Sequence, residues 1–366
     1  MEHRSSAVEG LEMNAKFWTG KRVFLTGHTG FKGSWLSLML QNLGAKVTGY
    51  SLAPSTDPSL FEVADVESGM TSIFGDICDL STFKHTMRAA TPDIVIHMAA
   101  QPLVRQSYAE PVETYATNVM GTVNMLESVR HTSSVNAVLV ITTDKCYENR
   151  EWVWGYREDD ALGGFDPYSS SKACSEIVSS AYRSSYFTDK KVRLATARAG
   201  NVIGGGDWAK DRLIPDLIRS FVNNEVAFIR NPKSIRPWQH VFEPLRGYMM
   251  LAERLYTAEN EEYSRAWNFG PTDHDCKTVD WIASKMSSLW GDNASWTSGS
   301  SSELHEAKNL KLDTSLVTSK LGWTPIFNLE QGLIHLVEWN KEYLKSQNGQ
   351  DISVSQVRKY IQRVCR

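Results

Sequence analysis

The chain has 366 residues, 42% of them hydrophobic and 22% charged, which is ordinary for a soluble protein and allows two joined domains. Its formal net charge of -3 gives no general attraction to nucleic acid or to an anionic membrane, so neither is expected as a partner. Five scattered cysteines without metal-type pairs favour a reducing cytoplasm and no metal centre, and no apolar run has the length of a membrane span.

A glycine-rich turn lies near the start of the chain. A short apolar strand at residues 21–26 leads into this turn, and an apolar helical pattern follows it. This order is typical of a phosphate-binding unit, because glycines let the backbone approach a pyrophosphate and the helix start offers free N–H groups. The spacing G-x-x-G-x-x-G differs from the usual G-x-G-x-x-G, and a plain tight turn is the alternative. The residues predicted to bind a dinucleotide here are Gly27, Thr29, Gly30, Phe31 and Gly33.

The following segment favours NAD over NADP. A second strand, Lys46 to Tyr50, ends without the acid that usually binds the ribose hydroxyls, and Asp57 comes only later, so the adenosine contacts stay open. Between Lys46 and Lys84 there is no Lys or Arg, whereas several acids lie there. A 2′-phosphate would find no cation in this segment.

Two further strands, near residues 71–75 and 93–97, precede a helix at about 112–132. Strands alternating with helices predict an α/β fold, a Rossmann-type doubly wound parallel sheet. Small residues after the fourth strand would let the backbone pass close to the cofactor, and His97 is interpreted as a packed strand residue. The cofactor-binding residues predicted in this part are Asp76, Ile77, Ala99, Ala100, Gln101 and Asn118.

Polar side chains follow the next strand, Ala137 to Thr142, where it ends. Thr143, Asp144 and Lys145 come directly after this buried apolar run. The carboxyl ends of parallel strands face the ligand crevice, so we expect these groups to take part in chemistry. A polar loop that caps the next helix is the alternative.

Tyr168 and Lys172 lie four residues apart, so on a helix they project from one face. Tyrosine is a poor base at neutral pH, and Lys172 is expected to lower the pKa of Tyr168. Tyr168 could then accept a proton from an alcohol while hydride passes to the nicotinamide. A solvated helix face is the alternative, but Thr143 and the glycine turn favour catalysis.

The second half of the chain predicts a smaller mixed α/β lobe for substrate. After a strand, Arg193 to Ala199, comes a stretch at 200–208 that is interpreted as a loop too glycine-rich for the core. Arg230 and Arg236 could hold a diphosphate, although isolated arginines also form surface ion pairs. The stretch Trp290 to Glu303 is expected to be a surface loop. The expected divisions are a loose leader at 1–16, the NAD-binding domain at 17–200 with some later segments returning to it, the substrate lobe at 201–345 and a helical tail at 346–366.

Together these motifs resemble the extended short-chain dehydrogenase/reductase superfamily, and within it the nucleotide-sugar dehydratases. The resemblance implies NAD as cofactor, CDP-glucose as substrate, and a homodimer or homotetramer formed by helices near 112–132 and 168–186. It also implies substrate contacts from Gln101, Arg105, Asn201, Arg212, Leu213 and Arg236. The residues that carry the resemblance are 27–35, 97–105, 143–147, 149–152, 198–208 and 235–240.

The same resemblance implies a role for each catalytic residue. Tyr168, Lys172 and Thr143 would serve oxidation at carbon 4, and Asp144 and Lys145 would serve loss of water across carbons 5 and 6. Dehydratases acting on dTDP-glucose have a glutamate where this chain has Lys145, so the base at carbon 5 is open. An epimerase or reductase on the same fold needs no such pair and is one alternative, and a non-catalytic NAD-sensing module is another.

Overall fold

The computed structural model describes residues 13–188, 192–299 and 309–365, in which strands and helices alternate. The strands are β1 (Arg22–Thr26), β2 (Lys46–Ser51), β3 (Thr71–Phe74), β4 (Ile94–His97), β5 (Ala137–Ile141), β6 (Arg193–Ala199), β7 (Asn201–Ile203), β8 (Ala227–Ile229), β9 (Ile235–His240), β10 (Ala266–Phe269), β11 (Cys276–Thr278) and β12 (Trp296–Ser298). The helices are α1 (Ala15–Trp18), α2 (Phe31–Asn42), α3 (Leu60–Val63), α4 (Leu80–Ala90), α5 (Val104–Ala109), α6 (Pro111–Tyr115), α7 (Gly121–Arg130), α8 (Pro167–Tyr182), α9 (Leu213–Val222), α10 (Phe242–Thr257), α11 (Val279–Trp290), α12 (Ser315–Leu321), α13 (Leu329–Ser346) and α14 (Gly349–Val364).

Seven strands form one parallel sheet in the order β10, β6, β5, β4, β1, β2, β3. Its central strands are buried on both faces, which is why they are nearly continuous runs of apolar, often β-branched residues. The strand order reverses between β1 and β4, and ligands bind beyond the carboxyl ends of the strands at such a point. The predicted doubly wound parallel sheet is confirmed.

Helices cover both faces of this sheet. On one face α2, α10 and α14 pack together, and the rings of Trp35 and Phe242 meet edge to face with centroids 5.0 Å apart. On the other face α4 and α7 bury Phe83, Met87 and Leu126 against the strands. The sheet is therefore enclosed, and only its strand ends are open for a site.

A second lobe has its own apolar core. It contains β7, β9 and β11 in one small sheet, β8 and β12 in another, and the helices α9, α11 and α13. Between these segments the chain returns to the large sheet through α10 and β10. The domain limits drawn from the sequence stay a prediction.

Three expectations about local structure need correction. Met13 is only 2% exposed and α1 starts at Ala15, so the end of the expected loose leader is packed, whereas residues 1–12 lie outside the described ranges. The expected loop from Trp290 to Glu303 contains β12, which pairs with β8, and its part from residue 300 onward is also outside the described ranges. Short strands of this kind depend on a distant partner rather than on local periodicity.

The third correction concerns the glycine-rich stretch after β6. It contains β7, and Gly205 is buried beneath Trp339, where an added Cβ would come within 2.2 Å of the indole. Trp35 also donates an indole N–H to the carbonyl of Gly205 at 3.0 Å. The glycines thus belong to the core because two tryptophans approach the bare backbone. Within the described ranges, no helix has both the length and the apolar character needed to cross a bilayer.

Candidate active site

The glycine turn after β1 forms a cradle that side chains would fill. Gly27 has φ +75°, and a Cβ there would lie 2.7 Å from the amide nitrogen of Ala99. A Cβ on Gly33 would lie 2.0 Å from the carbonyl oxygen of Gly27. Gly30 precedes α2 without a side-chain cap, so the N–H groups of the first turn are left for a ligand. The cradle fits the pyrophosphate of a dinucleotide.

The other predicted cofactor residues lie around the same strand ends. The Thr29 hydroxyl bonds the Ser51 hydroxyl at 2.9 Å, which joins the turn to the end of β2. Asp76 is exposed just beyond β3, and Ile77 is buried under Gly121. The backbone amide of Ala99 donates to Thr26 at 3.1 Å, which keeps the turn after β4 close to the glycines.

Gln101 and Asn118 are buried next to α8, the helix that carries Tyr168 and Lys172. The Asn118 carboxamide accepts from the Gln101 amide at 2.9 Å and donates to the Ser171 hydroxyl at 2.8 Å. The side chain of Gln101 donates to the Leu103 carbonyl and to Thr114. These bonds give both residues a structural function, and their contacts to cofactor and substrate stay predictions.

The tip of β5 and the start of α8 bring the predicted catalytic residues together. Thr143 caps a short turn formed by Asp144, Lys145 and Cys146, and its hydroxyl hydrogen-bonds the phenol of Tyr168. One helical turn further on, the ammonium of Lys172 donates to the carbonyl of Ile141 at 3.2 Å. The two segments predicted separately thus form one cluster.

The pKa values of Tyr168 and Lys172 are both shifted by burial. Burial raises the pKa of Tyr168 to about 12, although its hydrogen bond with Thr143 and the charge of Arg212 act in the opposite direction. Burial also lowers the pKa of Lys172 to about 8. The expectation that Lys172 lowers the pKa of Tyr168 is wrong for the protein alone, because desolvation of the phenolate outweighs the neighbouring charges.

Asp144 is a buried carboxyl group on the same strand tip. Burial raises its pKa, while Lys145 and Thr143 oppose the shift. Oδ1 accepts from the Thr143 hydroxyl at 3.0 Å, whereas Oδ2 is buried without a hydrogen-bond partner in the described part of the chain. Lys145, the next residue, is only partly buried. This environment favours the protonated acid at Asp144.

A cavity of about 840 Å³ opens at the tip of β5 and extends into the second lobe, and neither Asp144 nor Lys172 is part of its lining. Its volume lies in the range of pockets that hold a small molecule. Thr143, Lys145 and Tyr168 line one end. The predicted substrate residues that line it are Arg105, Asn201, Arg212, Leu213 and Arg236, whereas Gln101 lies outside its lining.

Lys32 also lines this cavity and was not predicted. It stands in the first turn of α2, and its pKa is lowered to about 7 by burial and by the charges of Lys172 and Arg212, with Asp144 opposing. The sequence could have indicated Lys32, because it lies between Gly30 and Gly33 and is the only charged residue of α2.

A buried ion pair behind the catalytic cluster was also missed. The Glu176 carboxylate accepts from Arg198 at 2.9 Å and from the Thr196 hydroxyl at 2.6 Å. Arg198 donates in turn to the phenol of Tyr147 at 2.7 Å. The pair joins α8 to β6, and the spacing of Glu176 four residues after Lys172 on the same helix face could have indicated it.

Comparison with known proteins places this geometry in a family. The model described as GDP-mannose 4,6 dehydratase matches residues 24–336. CDP-glucose 4,6-dehydratase of Salmonella typhimurium is 55% identical over 341 residues, which are 92% of this chain and 95% of the relative.

Solved structures share the fold. UDP-glucose 4-epimerase of Thermotoga maritima aligns with a TM-score of 0.77 and 21% identity, over 88% of this chain and 99% of that one. dTDP-glucose 4,6-dehydratase of Bacillus anthracis in complex with NAD aligns with a TM-score of 0.73 and 20% identity, over 91% and 100%. The predicted resemblance is confirmed, and the chain belongs to the GDP-mannose 4,6 dehydratase family of NAD-dependent nucleotide-sugar dehydratases.

Proposed function

We propose that the chain converts CDP-glucose into CDP-4-keto-6-deoxyglucose and water. The observation that carries this proposal is the buried carboxyl group of Asp144, which shares the hydroxyl of Thr143 with Tyr168. An epimerase or reductase needs only the tyrosine, the lysine and the cofactor. A second acid beside them serves the departure of a hydroxyl group.

NAD fits the turn around Gly27 and Gly33, where a side chain at either position would clash with neighbouring backbone and only glycine allows the tight turn before α2. Held there, NAD would supply hydride transfer at carbon 4 and at carbon 6, and its positive ring would favour the phenolate of Tyr168. The acids between Lys46 and Lys84 disfavour a 2′-phosphate.

Tyr168 removes the proton of the carbon-4 hydroxyl, and Thr143 orients the phenol by its hydrogen bond. The resulting ketone makes the proton on carbon 5 acidic. Lys145, which lines the cavity on the same strand tip, removes that proton as the neutral amine. Asp144 gives its proton to the carbon-6 hydroxyl, which leaves as water.

The proton balance closes within the same cluster. Lys145 returns its proton to carbon 5 when carbon 6 receives the hydride. Tyr168 has then gained one proton and Asp144 has lost one. Thr143 hydrogen-bonds both residues, so it can pass the proton from the phenol to the carboxylate and restore the starting state.

The substrate is proposed from the relative and from the cavity. The Salmonella relative is named for CDP-glucose, and it is 55% identical to this chain over 92% of the chain's length. Arg212 and Arg236 line the cavity between its catalytic end and the second lobe, and guanidinium groups suit a diphosphate.

We also infer that two copies of the chain associate. Val112, Met120, Ile177 and Tyr186 are 82, 52, 56 and 44% exposed, and they lie on α6, α8 and the turns next to these helices. Apolar side chains on neighbouring helices are typical of a protein–protein interface. The five free cysteines suit a reducing compartment, in agreement with the cytoplasmic location predicted from the sequence.

The proposal is tested with CDP-, UDP-, GDP- and dTDP-glucose, each followed by the ultraviolet band that a 4-keto sugar gives in alkali. CDP-glucose should give the band with the highest kcat/KM. Asp144→Asn should reduce dehydration by about 10²-fold or more, the usual contribution of a general acid, and should accumulate absorbance at the wavelength of reduced nicotinamide. Asp159→Asn is the control, because its side chain is 91% exposed.

Formation of an epimer that keeps the carbon-6 oxygen would contradict the proposal and support an epimerase. An Asp144→Asn variant that dehydrates CDP-glucose at the wild-type rate would remove the acid from the mechanism. A non-catalytic NAD-sensing module predicts instead that Tyr168→Phe changes nothing.

A further inference from the structure

The cavity has a far end that the reaction at Tyr168 does not use. Helix α9 begins next to Arg212, whose charge acts on Tyr168, and its ten residues extend over about 15 Å at 1.5 Å per residue. Strand β8 then returns along α9, so that Arg230 at its end pairs with Asp211 at 3.2 Å. The turn between them, which contains Glu225, therefore lies at the opposite end of α9 from Arg212.

The strand β8 presents an aromatic face at this far end. Ala227 and Ile229 are buried against the core of the second lobe and also line the cavity, and the side chain between them lies on the opposite face of β8. That side chain is Phe228, which is 54% exposed although it lines the cavity. An exposed aromatic ring in a cavity wall suits the flat face of a nucleobase.

Glu225 differs from the other carboxylates of the second lobe that line the cavity. Its side chain forms no hydrogen bond or ion pair within the described part of the chain, and only its backbone amide is engaged, by the carbonyl of Ser220. The other acids are held by arginines, in the pairs Asp207 with Arg212, Asp211 with Arg230 and Asp216 with Arg219. Glu225 is thus an acceptor at the far end that remains available for a ligand.

We propose that Glu225 determines the nucleobase of the substrate by accepting a hydrogen bond from the exocyclic amine of cytosine, while Phe228 packs on the base. The inference rests on the proposed function, which places a nucleotide sugar in this cavity. Cytosine offers an amino group at the position where uracil and thymine offer a carbonyl oxygen. A carboxylate accepts from the amine and is repelled by the oxygen, so it would select CDP over UDP.

The test measures the binding of CDP and UDP by calorimetry, without turnover, in the presence of NAD. Wild-type protein should prefer CDP by about tenfold or more, since a hydrogen bond to a charged group accounts for that factor. Glu225→Gln should reduce the preference to near unity, because a carboxamide can donate to the uracil oxygen as well as accept. Glu259→Gln, an exposed acid far from the cavity lining, is the matched control and should keep the wild-type ratio.

Equal affinity of the wild-type protein for both nucleotides would overturn the inference, and so would a Glu225→Gln variant of unchanged melting temperature that keeps the wild-type preference. Phe228→Leu provides a second measure, because it should weaken both nucleotides alike and leave their ratio unchanged. A wild-type preference for CDP that Glu225→Gln abolishes, without any keto-sugar formation, would refute the proposed reaction and keep the base contact.

Discussion

At the scale of single residues, spacing predicted which side chains meet but not their charge. The proximity of Tyr168 and Lys172 was predictable from their four-residue separation on α8. The position of Thr143 in the site was predictable because it follows a buried strand. The pKa values of about 12 and about 8 depend on desolvation by segments far away in the sequence. Lys32 shows the same limit, since the groups that lower its pKa come from α8 and the second lobe.

Lys32 gives the stability of the protein a predictable dependence on pH. Its pKa is about 7 in the native state against 10.5 for an ordinary lysine, so the unfolded state binds more protons between these values. The free energy of unfolding contributed by this residue therefore rises with pH from about 7 to about 10.5. Lys32→Met should be more stable than wild type at pH 7 by about 1 to 3 kcal/mol, allowing for partial exposure.

The measurement is urea unfolding at pH 7 and at pH 9.5. The advantage of Lys32→Met should shrink at the higher pH, where wild-type Lys32 is neutral in the native state and nearer to neutral in the unfolded one. Lys46→Met, which removes an exposed lysine at the start of β2, is the matched control. A constant difference at both pH values would mean that Lys32 is charged in the native protein.

At the scale of elements, the long and strongly patterned segments were predictable. Strand β6 was expected from Arg193 to Ala199 and has these bounds, and β5 differs from its expected range only at the end. The three-residue strands β7 and β12 were not predicted, because each exists by pairing with β9 or β8 rather than by its own periodicity. Their partners lie tens of residues away in the chain.

The buried pair of Glu176 and Arg198 is the polar link between α8 and β6. Both side chains are less than 5% exposed, so removal of either one leaves an unpaired charge in the core. Glu176→Leu and Arg198→Met should each lower the free energy of unfolding by about 3 kcal/mol or more. The double variant should be more stable than the sum of the two losses predicts, because it leaves neither charge unpaired.

The cycle is measured by urea unfolding of the four proteins. Arg157→Met breaks the surface pair with Asp313, in which the arginine is 76% exposed, and should cost less than about 1 kcal/mol. Additive losses in the cycle would show that the two residues stabilise the protein independently of their ion pair.

At the scale of the whole molecule, the placement of the lobes depends on contacts that no local pattern contains. The final helix α14 packs on α2 of the same chain, and its Tyr360 and Val364 belong to the apolar core that both helices share. The second lobe rests on the first through Trp35 and the bare backbone of Gly205. The sequence indicated two lobes. It could not indicate contacts between residues more than a hundred positions apart, because hydrophobic periodicity reports only local structure.

The proposed association of copies of the chain depends on the surface of the whole molecule. Ile177 is 56% exposed on α8, next to the apolar side chains of the neighbouring helices, and a stable interface buries about 800 Å² on each partner. A glutamate at this position would place a charge in the centre of that surface without touching the residues around Tyr168. Ile177→Glu should therefore dissociate the proposed assembly into smaller species at micromolar concentration, as measured by size exclusion with light scattering.

Leu344→Glu is the matched control for this substitution. Leu344 is 43% exposed on α13, an element of the second lobe outside the proposed interface, so the introduced charge is the same and only its location differs. The control should keep the wild-type mass. A monomeric wild-type protein would exclude α8 as the interface. Equal masses for wild type and both variants would exclude it as well, because a carboxylate buried without a partner costs more free energy than one apolar contact can offset.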